Sequence, residues 1–166
     1  MRTAVNYSRW FAPESLVSEQ NPIRLFVTHA WEEPEDYLRV FEFLESSGRF
    51  YYRNLAQTAA PASADKESRR ESLRGQIGPA EIVIAVASLG RQHADWLLFQ
   101  MTFAQAAKRP VILLPTFGGS APIPKAFFEL ASEVVAWDER ALLDAIRRLA
   151  RGEATGRWDV VEFKLD

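Results

Sequence analysis

Five short apolar segments alternate with helix-like segments along this chain, and that alternation constrains the fold more than any other sequence feature. The predicted strands are IRLFVTHAW (23–31), RFYYRNL (49–55), AEIVIAVAS (80–88), RPVILLPTF (109–117) and EVVAW (133–137). Nearly continuous apolar runs are typical of strands that are buried on both faces. Strands joined through helices form a parallel sheet with right-handed crossovers and helices on both faces. The predicted fold class is therefore α/β.

The segments between the predicted strands show helical spacing. Tyr37, Val40 and Leu44 recur at three- and four-residue steps, which predicts an amphipathic helix that ends near Gly48. Asp138 has the residue type that caps a helix and is expected to begin the last one. Further helices are predicted at 67–77, 95–108, 125–131 and 139–150.

A chain of 166 residues is expected to form one domain with a single sizeable core. We predict an N-terminal extension over residues 1–22, the α/β domain over 23–150, and a tail over 151–166 that packs on it. Within the domain, the segment 56–66 is poor in bulky residues and is predicted to be a surface loop. A second loop is predicted at 89–93.

The composition excludes several kinds of site. The chain has no cysteine and only two histidines, so disulfides, thiol chemistry and a zinc site are not expected. The net charge of −2 does not favour nucleic acid as a partner. Arg69, Arg70 and Arg74 form a small basic patch, which is either a solvated helix face or a contact for phosphate. No apolar run approaches the roughly 18–20 residues that span a bilayer. The first residues do not resemble a secretory signal, and we expect a cytoplasmic location.

Three common catalytic or nucleotide-binding motifs are missing from the sequence. Neither G-x-G-x-x-G nor G-x-x-x-x-G-K-[ST] occurs, and there is no G-x-S-x-G nucleophile elbow. A phosphoacceptor receiver domain would have acidic residues at the ends of the first and third strands. This chain has VTHAW and AVASL at those places instead.

Ligands of open parallel sheets gather at the carboxyl ends of the strands, where neighbouring loops diverge. Thr28, His29 and Trp31 follow the first predicted strand, and Ser88 ends the third. These four residues are therefore candidates to contact a ligand. Each also has a structural interpretation, since strand ends need capping and packing, and a buried histidine is commonly bonded within the core.

The helix predicted at 95–108 is apolar on nearly every face and is expected to be buried, yet it contains one primary amide, Gln100. An unpaired amide in such a place costs about 1–3 kcal/mol. Gln100 therefore either bonds to backbone in the core or faces a ligand. Trp96 lies four residues earlier on the same helix face. Its ring either offers a surface on which a ligand can stack or packs in the core. Asp95 either caps this helix or contacts the ligand.

Several segments together resemble the TIR-like family that includes the Thoeris anti-phage defence proteins. They are FVTHAW, YYRN, LRGQIGPAEIVI, and DW followed by an apolar helix, and the resemblance extends over about residues 25–149. It implies a flavodoxin-like sheet in the order 2-1-3-4-5. It also implies that NAD is cleaved or cyclised, as a substrate and without a further cofactor, to an ADP-ribose-type signal. Such signals activate a partner effector, and copies of these proteins associate.

The resemblance also assigns residues to a site. The family's catalytic Glu lies four residues after the Trp of the third helix, and Trp96 plus four is Gln100. The nucleotide contacts expected beside it are Thr28, His29, Trp31, Ser88, Asp95 and Trp96. A carboxylate there stabilises the positive charge that builds on the ribose as nicotinamide leaves, and losing such a contact costs about 3–4 kcal/mol. An amide carries no charge, so we expect the chain to bind NAD better than it cleaves it.

Three explanations of the amide at position 100 remain open at this point. The chain contains an introduced Glu→Gln change that traps ligand, or it is a natural module that senses or assembles without catalysis. Alternatively another acid takes over, either Asp95 or a residue from a neighbouring copy.

Overall fold

The computed structural model describes residues 16–61 and 65–153, which form an α/β fold around one five-stranded sheet in the order β2-β1-β3-β4-β5. All neighbouring strands are parallel. The predicted parallel sheet and its order are confirmed, and the short, charge-flanked second strand lies at an edge. The strands are β1 (Ile23–Val27), β2 (Tyr52–Asn54), β3 (Ile82–Val86), β4 (Val111–Leu114) and β5 (Glu133–Val134).

Five α-helices cover the two faces of the sheet within the described ranges. They are α1 (Glu35–Glu45), α2 (Lys66–Ile77), α3 (Gly90–Ala106), α4 (Lys125–Leu130) and α5 (Glu139–Arg151). Helices α1 and α5 pack on the face that contains Ile82 and Ile84 of β3, whereas α2, α3 and α4 pack on the face with Val83 and Ala85. Both faces of the central strand are therefore buried, which explains its continuous apolar sequence. No helix in this part of the chain is long and apolar enough to cross a bilayer.

Helix α5 begins and ends as its sequence predicts. The Asp138 side chain accepts a hydrogen bond from the Ala141 N–H at 2.8 Å, and the helix stops at Gly152, whose φ of 68° favours glycine. Because α5 includes Arg151, the predicted boundary after residue 150 falls inside the helix. Most of the predicted N-terminal extension (residues 1–15) and of the predicted tail (154–166) lies outside the described residues.

The start of α3 differs from its prediction. A 3-10 turn at Ala87–Leu89 leads directly into the helix at Gly90, so the predicted loop at 89–93 is wrong. Glycine is favoured there, because a Cβ at this position would lie 2.8 Å from the Phe127 ring of α4, which would have to shift. The exposed first turn has no apolar spacing, which is why it resembles a loop in sequence. The helix is kinked at His93, with φ −135° and ψ 51°.

A crevice forms where the chain changes direction in the sheet. Helix α1 connects β1 to the edge strand β2 on one face, and α2 connects β2 to β3 on the opposite face. The loops after β1 and β3 therefore diverge at the carboxyl edge. In doubly wound sheets this is the position at which ligands bind.

Candidate functional site

Gln100 lies beneath the carboxyl end of β1 and is fully buried. Its Oε1 accepts a hydrogen bond from the His29 N–H at 3.0 Å, and its Nε2 donates to the carbonyl oxygens of His29 and Trp96 at 2.9 and 2.8 Å. Both amide protons and the amide oxygen are therefore used by backbone. The expectation that Gln100 faces a ligand crevice is wrong, because the loop after β1 covers it.

The His29 side chain extends this network away from the sheet edge. Its Nδ1 accepts from the Trp31 N–H at 3.0 Å, so the ring proton lies on Nε2, which donates to Gln76 Oε1 at 3.0 Å. The same oxygen accepts from the Gln57 N–H at 2.8 Å, which ties the loop after β2 to α2. Burial lowers the pKa of His29 and favours the neutral ring.

Thr28 has a comparable structural role. Its Oγ1 accepts from the Val86 N–H at 3.1 Å, so the hydroxyl joins the ends of β1 and β3. We call Thr28, His29, Gln76 and Gln100 the buried polar cluster. All four are buried, and the most exposed of them, Gln76, is 6% exposed. The predicted nucleotide contacts of Thr28 and His29 are therefore corrected: both side chains hold strand ends and loops together.

Trp31 lies between this cluster and the open edge. Its φ of 60° is unusual for a residue with a large side chain, and the hydrogen bond to His29 stabilises that conformation. The indole and the Trp96 ring are nearly perpendicular with their centroids 4.9 Å apart, and the Arg69 guanidinium lies over the Trp31 ring, 4.7 Å from its centroid. The indole Nε1 is buried without a hydrogen-bond partner. Trp31 lines neither of the two cavities described next.

The first cavity, which we call the acidic crevice, has a volume of about 290 Å³ and opens at the carboxyl ends of β1, β3 and β4. The polar side chains that line it are Glu32, Glu35, Asp36, Ser88, Thr116, Arg91, Gln92 and His93. Asp36 is fixed, since it pairs with Arg39 at 2.8 Å and accepts from the Phe117 N–H at 3.2 Å. Glu32, Glu35 and the Arg91 guanidinium therefore line this cavity together with an Asp36 that is already paired, and Ser88 lines it just after the end of β3.

The second cavity, which we call the basic cavity, has a volume of about 480 Å³ and lies between the first turns of α2 and α3. Its charged side chains are Lys66, Arg70, Arg91 and Asp95, and its rings include Trp96 and Phe99. Arg91, Gln92 and His93 line both cavities, so residues 91–93 form a shared wall. Asp95 is not the N-cap of α3, which begins at Gly90; it lies two residues after the kink at His93, in the first turn of the longer part of the helix.

Lys66 and Asp36 were not among the predicted site residues, and Arg70 was predicted only as part of the small basic patch with Arg69 and Arg74. Lys66 and Arg70 come from α2, which meets α3 only in the folded chain, and no local spacing indicates that they converge with Arg91. Asp36 gives a weak signal, since it is an acid in the first turn of the helix after β1. Within residues 16–61 and 65–153, no group of three or more His, Asp or Glu side chains is placed to hold a metal ion.

The sequence matches no protein-family model and no curated protein. Among solved structures, the chain is similar to the CMP N-glycosidase BcmB of Clostridium botulinum, with a TM-score of 0.46, 17% identity, and 74% of this chain and 96% of that chain covered. It is also similar to a pilus assembly-related protein of Burkholderia pseudomallei, with a TM-score of 0.49, 16% identity, and coverage of 84% and 97%. Similarity at this level says nothing about the site.

Proposed function

We propose that this chain is a TIR-like module that binds NAD or a related nucleotide in the acidic crevice and does not cleave it. One observation carries the proposal that NAD is not cleaved: the side chain at position 100, where the resemblance puts a catalytic Glu, is an amide buried under the loop after β1 and bonded only to backbone. It is uncharged and out of reach. No carboxylate at that position stabilises a ribosyl cation.

The chemistry of the acidic crevice supports a nucleotide of the NAD class. The nicotinamide ring of NAD carries a positive charge, and Glu32 and Glu35 together outweigh Arg91 in this cavity, whose third carboxyl, Asp36, is paired with Arg39. The hydroxyls of Ser88 and Thr116 are donors and acceptors suited to ribose. The crevice also lies where doubly wound sheets bind ligands.

The wider setting is proposed from the sequence resemblance. It places the chain in a cytoplasmic anti-phage defence system, in which it associates with further copies of itself and works with an effector protein that responds to a nucleotide signal. Light scattering on the purified chain, with and without NAD, tests the self-association. A monomer under both conditions contradicts that part of the proposal.

A second candidate function is NAD cleavage with Asp95 in place of the missing carboxylate. It is favoured by the position of Asp95, which is exposed beside Trp96 and lines the basic cavity. In that case the chain releases nicotinamide from NAD, and Asp95→Asn abolishes the release.

Calorimetry with NAD and a nicotinamide-release assay test the proposal together. We expect the chain to bind NAD without releasing nicotinamide. Glu32→Gln and Glu35→Gln should each weaken binding by about two- to fivefold, the effect of one partly exposed charge pair. Glu42→Gln, on the exposed side of α1, is the matched control and should leave binding unchanged. Rapid nicotinamide release, or no binding at millimolar NAD, contradicts the proposal.

A further inference from the structure

We propose that the basic cavity is a phosphate-binding site for a nucleoside phosphate, with Lys66, Arg70 and Arg91 as the groups that bind the phosphate. The basic cavity adjoins the acidic crevice across the shared wall at residues 91–93, so one NAD molecule could extend through both. Only this claim about NAD rests on the proposed function. Binding of a phosphate here is a separate claim with a separate test.

The charges of the cavity carry the inference. Three cationic side chains from two helices face a space that also contains one carboxylate, that of Asp95. Neither Lys66 nor Arg91 forms an ion pair with any residue of the described ranges, so both keep their charge available to a ligand. Arg70 is shared, because it pairs with the exposed carboxylate of Glu67 at 3.3 Å. The excess of positive charge favours an anion.

The two cations that form no ion pair with the described residues come from different helices. Lys66 is the first residue of α2, and Arg91 lies in the first turn of α3. The start of α2 adds no net attraction for an anion, because its N-cap Asp65 is itself a carboxylate and accepts from the Ser68 N–H at 2.8 Å. A phosphate ester that bridges Lys66 and Arg91 gains charge-assisted hydrogen bonds from both helices.

The size and the rings of the cavity select a nucleotide over a bare anion. A volume of about 480 Å³ lies within the range of small-molecule sites and exceeds what one phosphate fills. Trp96 and Phe99 line the same space and pack against each other, with ring centroids 6.1 Å apart. They offer an apolar surface to a base or sugar. We therefore expect AMP to bind more tightly than inorganic phosphate or ribose 5-phosphate.

Calorimetric titration of the purified chain with AMP, adenosine, ribose 5-phosphate and inorganic phosphate tests the site. We expect AMP to bind, adenosine to bind at least tenfold more weakly, and added NaCl to weaken the binding of AMP. Lys66→Ala and Arg91→Ala should each lower the affinity for AMP by roughly tenfold, because each removes one charge-assisted hydrogen bond. Lys125→Ala is the matched control, since Lys125 is an exposed cation on α4.

Each result either supports or overturns the site. Equal binding of AMP and adenosine, or AMP binding that is unchanged in Lys66→Ala and Arg91→Ala, overturns it, as does no binding of AMP at millimolar concentration. If inorganic phosphate binds as tightly as AMP, the claim that the ligand is a nucleoside phosphate is also overturned. Failure of the proposed function is distinguishable: a chain that binds AMP through these cations but does not bind NAD retains the phosphate site and loses the proposed NAD function.

Discussion

Helix α3 borders two regions that use polar side chains in opposite ways. On its inner side, Gln100 belongs to the buried polar cluster, in which the Gln100 amide, both His29 ring nitrogens and the Gln76 oxygen are hydrogen-bonded to backbone or to another side chain. On its outer side, Arg91 and Asp95 line cavities and make no ion pair with the described residues. One helix therefore contains a group that stabilises the fold and groups that remain available to a ligand.

The difference teaches how to separate structural from ligand-binding residues when both are polar and both lie at the carboxyl edge. A buried amide with three good hydrogen bonds stabilises the structure, because an unpaired partner would cost free energy. An exposed charge without a partner contributes little to stability and retains its full interaction with solvent or ligand. The two regions should therefore respond to substitution in different measurements.

The largest effect is expected for Gln100→Glu. One oxygen of the introduced carboxyl would keep the hydrogen bond from the His29 N–H, whereas the other would face the carbonyl oxygens of His29 and Trp96, where the amide now donates. An uncompensated buried charge costs about 3–5 kcal/mol, so the free energy of unfolding should fall by about that amount at pH 8. Urea denaturation measures it. Cleavage of NAD is not expected to appear.

The pH dependence of that variant gives a second signature. Burial disfavours the charged form, so the pKa of the introduced carboxyl is raised in the folded state and the loss relative to the parent chain should shrink as the pH falls towards 5. Gln105→Glu, at an exposed position of the same helix, is the control and should change stability little. A Gln100→Glu chain as stable as the parent at pH 8 would contradict the structural role.

The next effect concerns His29, whose pKa is lowered by burial. The unfolded chain then binds the proton more readily than the folded chain. Stability contributed by the neutral ring is complete above the unfolded pKa of about 6.5 and is lost as the pH falls below it, by at most about 1.4 kcal/mol per pH unit. His29→Gln cannot titrate and should flatten this dependence in denaturation curves between pH 7.5 and 5.5.

His93 provides the comparison, because it is the other histidine of the chain. It lines both cavities at the α3 kink and lies outside the buried polar cluster. His93→Gln should therefore leave the pH dependence of stability in place. If His93→Gln removes the dependence and His29→Gln does not, the interpretation of the cluster is wrong.

Local sequence patterns predicted most of the fold, but they predicted the candidate site only in part. Apolar runs and helical spacing are properties of neighbouring residues, so the strands, most of the helices and the Asp138 cap were predictable. The strand order came with the resemblance. The start of α3 was missed because its first turn is exposed and is secured by Gly90 against Phe127, a contact between residues distant in the sequence.

The limits at the site have the same physical origin. A place after a strand end brings a residue to the correct edge but does not decide whether its side chain points to solvent or underneath a loop. Thr28, His29 and Gln100 point inwards because their partners are backbone groups of other segments, as in the bond between Gln100 and His29, 71 residues apart. Lys66 was missed, and Arg70 was assigned only to a basic patch on its own helix, because α2 meets α3 only through tertiary packing.

Smaller changes in the free energy of unfolding are expected for Asp138 and Asp95, the two aspartates that the sequence suggested as helix caps. Asp138 accepts from the Ala141 N–H, and Asp138→Ala should lower the free energy of unfolding by about 1 kcal/mol, the usual value of an N-cap. Thermal or urea denaturation measures this. Asp138→Asn is the control, since an asparagine side chain also caps and should retain most of the stability. A loss below 0.3 kcal/mol, on the order of measurement error, would contradict the cap.

The smallest effect on stability is expected for the other aspartate. Asp95→Ala removes an exposed carboxyl within α3 that begins no helix, so the free energy of unfolding should change by less than about 0.5 kcal/mol. Its effect should appear in binding instead: without its negative charge beside Lys66, Arg70 and Arg91, the affinity for AMP should rise by about two- to fivefold. A loss of stability as large as that of Asp138→Ala would show that Asp95 does stabilise the helix. The contrast between a stabilising inner side and a ligand-binding outer side of α3 would then no longer hold.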